Sequence, residues 1–284
     1  MNIVYDTPLP NMKDASSCYK DISGYGGFEI YNKYYPCLTT TNEYNQILQT
    51  QNYVIPKSKV LTVSGSGEQP LFFKLFGAEH ITTFDISYNS YLITKLKTIA
   101  LQTFDQAKDF NKFLDCLYDE HHLYFLKNDY QNIIQKLSKP EQNYLCNAPE
   151  KIDIFYTNRW CDLYSFTDSD YKKLRDSIKS PFPFIWTDIK NLDERLGNAK
   201  FDIVYYSNIC DFLYSYTVVD VLKKTQKHLK PNGKICFVTN DDGKESLLDN
   251  INQAMSYDAI HKMPERLKFY LVVLASVIGA VPSQ

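Results

Sequence analysis

The sequence predicts an α/β fold, a doubly wound and mostly parallel seven-stranded sheet with a C-terminal antiparallel hairpin and a helical insertion. Three observations lead there. A β-branched run, Val60-Leu-Thr-Val-Ser64, breaks into Gly65-Ser-Gly67 and then into a helical pattern. Strand-length apolar runs at 81–86, 184–188, 201–207 and 230–239 are interleaved with segments of helical period. Finally, two apolar runs, Tyr257 to Met263 and Leu267 to Ser276, are separated only by Pro264-Glu-Arg266, which suits an antiparallel pair.

Residues 1–57 are polar and aromatic, with a turn expected at Gly24-Tyr-Gly-Gly27 and a helix over Asn42 to Gln51. This segment reads as a cap over an entrance to the domain of residues 58–284. After the strand at Val60 to Ser64, a helix is expected from Glu68 to Phe76, with Pro70 in its first turn and Gly77 at its stop. The strand Ile81 to Ile86 follows, and then a helix from about Asn89 to Phe104 whose Leu92, Leu96, Ile99 and Thr103 share one face.

The alternation is then interrupted, because the next sheet strand, Phe184-Ile-Trp-Thr-Asp188, begins about 80 residues later and an ordinary connection needs only a few. Residues 105–180 read as a helical insertion. It carries helix-like segments at 106–118 and 128–138, a Pro/Asn-rich break at 139–149, and a helix from Asp168 to Ser177 opened by Thr167-Asp-Ser-Asp170. Such an insertion shapes an acceptor pocket or forms a dimer interface. Alternation resumes with Phe201 to Ser207, a helix from about Thr217 to Leu229, the turn Pro231-Asn-Gly233 leading into a strand that ends at Thr239, and a helix near 244–255. No internal repeat is present.

With 284 residues, 44% of them hydrophobic, the chain is long enough for a sizeable core. A formal net charge of −2 gives no basic field for nucleic acid or an anionic membrane, so a nucleic-acid partner is disfavoured and a small-molecule or lipid acceptor favoured. Seven cysteines, an odd number with no Cys-x-x-Cys pair, read as reduced thiols. The N-terminus shows no charged stretch followed by an apolar core, and the apolar run Phe269 to Val281 is too short for a membrane helix and reads as a buried strand. A cytoplasmic location is expected.

The loop after the first strand carries the chemistry. Glycines at 65 and 67 let the backbone turn tightly and expose N–H groups to a ligand, and Asp85, eighteen residues beyond Gly67, ends the second strand, where an acid accepts both hydroxyls of a ribose. A dinucleotide-binding Gly-x-Gly-x-x-Gly requires glycine at position 70, where this chain has Pro70, which disfavours a nicotinamide or flavin site. A Gly-x-x-x-x-Gly-Lys-Ser/Thr phosphate loop is absent. What suits the pattern is a cofactor with an adenosine and no phosphates, S-adenosylmethionine.

Over residues 58–104 and 180–278 the chain resembles the class I S-adenosylmethionine-dependent methyltransferase superfamily, whose Rossmann-like sheet ends in a hairpin. The resemblance places the glycine loop at Ser64, Gly65, Ser66, Gly67 and Glu68, the ribose-binding acid at Asp85 with Ile86 and Ser87 beside it, and the adenine-facing acid at Asp188 with Ile189. Ser207-Asn-Ile-Cys-Asp211 corresponds to the end of the fourth strand, which implies Ser207 and Asn208 as cofactor contacts and Asp211 as the catalytic or acceptor-positioning group. Lys230-Pro-Asn-Gly233 matches the superfamily's Pro-Gly-Gly turn with one exchange.

One departure stands out, since the superfamily carries an acid near position 62 that helps hold the cofactor's amino-acid end, and this chain has Thr62. Leu61 to Gln69, with Lys95-Leu-Lys97 and Ala100, is more similar to the betaine-lipid synthase type of 3-amino-3-carboxypropyl transferase. The resemblance therefore implies methyl transfer, slightly ahead of aminocarboxypropyl transfer, and Thr62 leaves open a non-catalytic cofactor-binding or scaffolding protein.

Other residues have plainer readings. Asp119-Glu-His-His122 reads as a solvated run with no metal role, because adjacent helical residues point apart. Cys210 reads as a small packed residue. Tyr205 and Tyr206 lie on opposite faces of one strand, one expected in the core and one at the pocket. Tyr25 and Glu29 are candidates to cover the cofactor, against simple surface packing. A homodimer is compatible with all of this.

Overall fold

The computed structural model describes residues 37–38, 41, 43–118, 129–147, 155–156, 164–240, 251, 259–261 and 269–275. The expected turn at Gly24 to Gly27, Tyr25 and Glu29, the Asp119 to His122 run and the body of the helix expected near 244–255 lie outside these residues.

In chain order the elements are β1 (Cys37–Leu38), α1 (Tyr44–Thr50), β2 (Lys59–Val63), α2 (Glu68–Leu75), β3 (His80–Asp85), α3 (Tyr88–Thr103), α4 (Ala107–Tyr118), α5 (Gln131–Ile134) and α6 (Lys139–Asn147). They continue with β4 (Phe155–Tyr156), α7 (Asp168–Ser177), β5 (Phe184–Trp186), α8 (Leu192–Leu196), β6 (Phe201–Tyr205), α9 (Ser215–Gln226), β7 (Leu229–Asn240), β8 (Ala259–His261) and β9 (Phe269–Ala275). Short 3-10 turns at Ile189–Asn191 and Ile209–Phe212 follow β5 and β6.

The main sheet has the order β5-β3-β2-β6-β7-β9-β8. Neighbours from β5 to β7 pair in parallel, and β9 runs antiparallel to both β7 and β8. The α/β class, the parallel body and the antiparallel C-terminal pair agree with the sequence pattern. The reversed strand β9 is not at the sheet edge. It lies inside, between β7 and β8, because Phe269 to Ala275 is a long apolar run that pairs along β7 from Asn240 to Lys234 and leaves short β8 as the rim.

Side-chain alternation along the strands separates two cores, one on each face. Val60, Ile203, Tyr205, Cys236 and Val273 face the cluster containing α2, α3 and α7, while Leu61, Val63, Val204, Tyr206 and Leu274 face the one containing α8 and α9. The helices following β2 and β3 thus cover one face, and those preceding and following β6 cover the other. The change of face falls between β2 and β6, and at such a switch point a crevice opens beyond the carboxyl ends of the strands.

The described residues of 105–180 do not build a core of their own. Phe110, Phe113 and Leu117 of α4, Ile133 and Ile134 of α5 and Leu174 of α7 join Phe72 and Phe73 of α2 in one cluster. Three features of this segment differ from expectation. The 139–149 stretch, read as a break, holds the helix α6. Its start is Ser138-Lys-Pro-Glu141, in which the Glu141 carboxylate accepts the Ser138 N–H at 2.8 Å and the Ser138 hydroxyl at 2.7 Å, with Pro140 in the first turn where its missing N–H costs nothing. The second is β4, which pairs in parallel with β1 from the N-terminal segment, a two-stranded sheet that residues this far apart do not announce. The helix expected over 128–138 is the single turn α5.

Candidate functional site

Between β2 and α2 the chain passes through Gly65 at φ +52° and Gly67 at φ +85°, both in the left-handed region. A Cβ on Gly67 would stand 2.8 Å from Thr94 Cα in α3, and one on Gly65 would stand 2.6 Å from Gln69 Nε2. Gly67 therefore requires glycine for space as well as for dihedral angle, whereas at Gly65 the near atoms are the movable end of the Gln69 side chain and the dihedral angle is what favours glycine. Ser64 anchors the entry to the loop, its hydroxyl donating to the Ser90 carbonyl at 3.0 Å and lying 2.8 Å from the Thr94 hydroxyl, while its own carbonyl accepts the Gly67 N–H at 2.8 Å. Ser66 donates to Gln69 Oε1 at 3.2 Å.

Asp85, the last residue of β3, is joined to this loop. Its Oδ2 accepts the Gly65 N–H at 3.0 Å and its Oδ1 the Ser87 N–H at 2.9 Å. Burial pushes its carboxyl up to about 6, with those N–H donors pulling the other way. Beside it, the Ile86 carbonyl accepts the Trp186 indole N–H at 2.8 Å, and the Thr187 N–H donates to the Asp85 carbonyl at 3.0 Å, which ties the end of β5 to the end of β3. Asp188 follows and caps the 3-10 turn, its Oδ1 accepting the Lys190 N–H at 2.9 Å and its Oδ2 standing 3.3 Å from Lys190 Nζ. Ile189 turns away into the core on the α8 face.

Glu68 has a different environment from the rest of the loop. Its Oε1 meets Lys97 Nζ of α3 at 2.9 Å, with both side chains buried, and its Oε2 accepts the Thr41 N–H and the Tyr44 hydroxyl, each at 2.8 Å. This carboxylate fastens the N-terminal segment and α3 to the start of α2. Lys95, two residues before Lys97 in α3, reaches Glu141 of α6 at 2.7 Å.

Beyond β6, Ser207 sits in the left-handed region at φ +55°, a conformation that costs a non-glycine residue energy and that the Val238 N–H donating to its carbonyl at 2.7 Å helps hold. Asn208 leads into the 3-10 turn, and Asp211 on that turn accepts the Thr239 hydroxyl of β7 at 2.8 Å. Both tyrosines expected at core and pocket are buried. The Tyr206 hydroxyl pairs with Thr225 of α9 on one face, and the Tyr205 hydroxyl faces the other.

The group that Tyr205 reaches is one that sequence reasoning missed. Glu43, immediately before α1, is 1% exposed. Its Oε2 accepts the Ser207 hydroxyl at 2.6 Å and the Tyr205 hydroxyl at 2.9 Å, whereas its Oε1 has no hydrogen-bond partner among the described residues. Burial pushes this carboxyl up to about 7, against the lowering pull of those hydroxyls and of the Asn208 main chain, and the charge of Asp211 adds to the rise. A single acid in a polar stretch outside the strands carries no motif, so only the fold brings it to the end of β6.

In sheet order, Asp188 after β5, Asp85 at the end of β3, the glycine loop after β2, and Ser207 with Glu43 at the end of β6 stand along the carboxyl ends of the strands, where a switch point opens a crevice. Among the described residues no three His, Cys, Asp or Glu side chains converge as a metal site, and no helix is long and apolar enough to cross a membrane.

No family model and no curated protein matches the chain. Among solved structures it is similar to N-methyltransferase NodS from Bradyrhizobium japonicum in complex with S-adenosyl-L-homocysteine, at 8% identity over 94% of this chain and 98% of that one with a TM-score of 0.46. It is also similar to the rRNA methyltransferase aviRa from Streptomyces viridochromogenes, at 11% identity over 93% of each chain and a TM-score of 0.44. A third is an rRNA methylase from Streptococcus thermophilus, at 11% identity over 81% of this chain and 95% of that one with a TM-score of 0.43. Likenesses this distant carry no activity across to this chain.

Proposed function

We propose that this chain is an S-adenosylmethionine-dependent transferase that moves a methyl group to a small-molecule or lipid acceptor. The observation that carries the reading is the joint between Gly65 and Asp85, a left-handed glycine loop hydrogen-bonded to an acid on the neighbouring strand at the switch point of a parallel sheet. The residues present fit the cofactor. The left-handed glycines let the loop lie close against α3 and the start of α2, Asp85 retains acceptor capacity for ribose hydroxyls, and the Glu43 oxygen without a partner among the described residues suits a cationic ligand.

When bound, the cofactor supplies a carbon activated by a positively charged sulfur. The chain's own part is alignment and charge. Asp85 with Ile86 and Ser87 would hold the ribose, Asp188 would border the adenine, and Ser64, Gly65, Ser66 and Gly67 would support the middle of the ligand. Glu68 acts through Lys97 and Thr41 to keep that loop in place. Ser207 and Asn208 would line the transfer end, and Asp211, held by Thr239, would orient the acceptor or take its proton.

The test is calorimetric titration with S-adenosylmethionine and S-adenosylhomocysteine, on the wild type and Asp85→Ala. Micromolar binding lost in the variant is the expected result, and no binding by folded wild-type protein overturns the reading. Product analysis then separates the chemistries, since S-adenosylhomocysteine as by-product marks methyl transfer and methylthioadenosine marks aminocarboxypropyl transfer. Cofactor binding with neither by-product across an acceptor panel marks a binding or scaffolding protein.

A further inference from the structure

The lining of the crevice fixes a direction for its ligand. An adenosine whose base lies toward Asp188 and whose ribose meets Asp85 has its 5′ substituent pointing across the glycine loop toward β6, because the strands stand in the order β5-β3-β2-β6. What waits at the end of β6 is Glu43. Its carboxylate is buried, it faces Asp211 of the same sign, and no basic group among the described residues offsets its charge. Two hydroxyls occupy one of its oxygens, the Asn208 main chain also draws on the carboxylate, and the other oxygen has no hydrogen-bond partner among the described residues.

A buried acid with a vacant oxygen is costly unless something completes it, and the group that completes it best is a cation able to donate a hydrogen bond. The strand leading into the glycine loop offers nothing comparable. Thr62, in register with Tyr205 on the neighbouring strand, turns its hydroxyl back to the Val63 carbonyl at 3.1 Å. Resting on the proposed cofactor, we propose that Glu43 receives the α-ammonium of its aminocarboxypropyl arm. The N-terminal segment would then be part of the binding site, bridging from Glu68 through Thr41 and Glu43 to Ser207.

Three ligands separate the groups concerned. S-adenosylmethionine has both the sulfonium and the ammonium, S-adenosylhomocysteine keeps only the ammonium, and 5′-methylthioadenosine has neither. Titrated at pH 8, Glu43→Gln should bind the first two about 30-fold or more weakly than wild type and 5′-methylthioadenosine within about twofold of wild type. Unchanged affinity for S-adenosylhomocysteine, or an equal loss for 5′-methylthioadenosine, overturns the inference while the transferase reading stands. Wild-type protein that binds none of the three overturns both.

Should the variant not fold, wild-type protein gives the answer through proton counting in two buffers of different ionisation enthalpy. At pH 7 S-adenosylhomocysteine binding should release about half a proton, as the ammonium drives Glu43 to its charged form, and 5′-methylthioadenosine should release none at this site. Equal release by the two ligands overturns the inference.

Discussion

The Glu68 carboxylate and the Lys97 ammonium form an ion pair of 2.9 Å with both side chains withdrawn from water. They join the first residue of α2 to the middle of α3 directly behind the glycine loop, and the second carboxylate oxygen extends the link to Thr41 and Tyr44. The pair thus couples three segments that border the crevice. In a buried pair the desolvation of two ions offsets much of their attraction, so its importance lies in what happens when one partner is removed.

Lys97→Met leaves a buried carboxylate without its counter-ion and should cost about 3–5 kcal/mol in urea unfolding. The double variant Glu68→Gln/Lys97→Met removes both charges and keeps an acceptor for the Thr41 N–H and the Tyr44 hydroxyl, so it should recover more than half of that loss. A single variant within about 1 kcal/mol of wild type would show that the pair is not a constraint on the fold.

Gly67→Ala combines a φ of +85° with a Cβ 2.8 Å from backbone in α3. The neighbouring atom is a main-chain carbon and cannot swing aside, so the loop or α3 must shift. A loss of at least about 2 kcal/mol in thermal unfolding is expected, together with weakened cofactor binding by whatever protein stays folded. Wild-type affinity in a stable Gly67→Ala protein would sink the role of this loop in cofactor binding.

The sheet and the glycine loop were legible because they rest on local signals. Strand-length apolar runs, Gly65, Gly67 and an acid at the end of the next strand all fall within one window of sequence, and Thr167 caps α7 as its spacing predicts, accepting the Asp170 N–H. What was not legible depends on distant pairing. Glu43 meets Ser207 across 164 positions, and β1 meets β4 only because the insertion folds back. The helix α6 was missed for a different reason. The proline and asparagines of 139–149 outweighed Ser138-x-x-Glu141, a capping signal that was there to be read.

Asp85 gives the crevice a pH dependence that 5′-methylthioadenosine can isolate, since that ligand has the ribose and lacks the amino-acid arm. The carboxyl, pushed up to about 6, must be ionised to accept two ribose hydroxyls, so affinity should be level above pH 7 and fall about tenfold between pH 7 and pH 5. Asp85→Asn should bind weakly with no such slope. A wild-type affinity that is flat from pH 8 to pH 5 would remove Asp85 from ribose recognition.

Glu43 should reveal itself in stability even without a ligand. The fold raises its carboxyl from 4.5 to about 7, so the folded chain holds this proton more tightly than the unfolded one. Its ionisation therefore destabilises the fold progressively as pH climbs from 4.5 to 7, and fully above that. The groups facing it do not reverse the sign. Tyr205, raised well above its ordinary value, and Cys236 behind it, pushed up to about 12, stay neutral in this window, while the charge of Asp211 works in the same direction. Glu43→Gln keeps an acceptor for the Tyr205 and Ser207 hydroxyls and never ionises. Thermal unfolding should find the variant equal to wild type at pH 4.5 and more stable by up to about 3 kcal/mol at pH 8. A saturating cation-bearing ligand should close that gap by stabilising the wild type more than the variant. Equal stability of the two proteins across the whole range would mean that Glu43 is not the strained, waiting acid its surroundings describe.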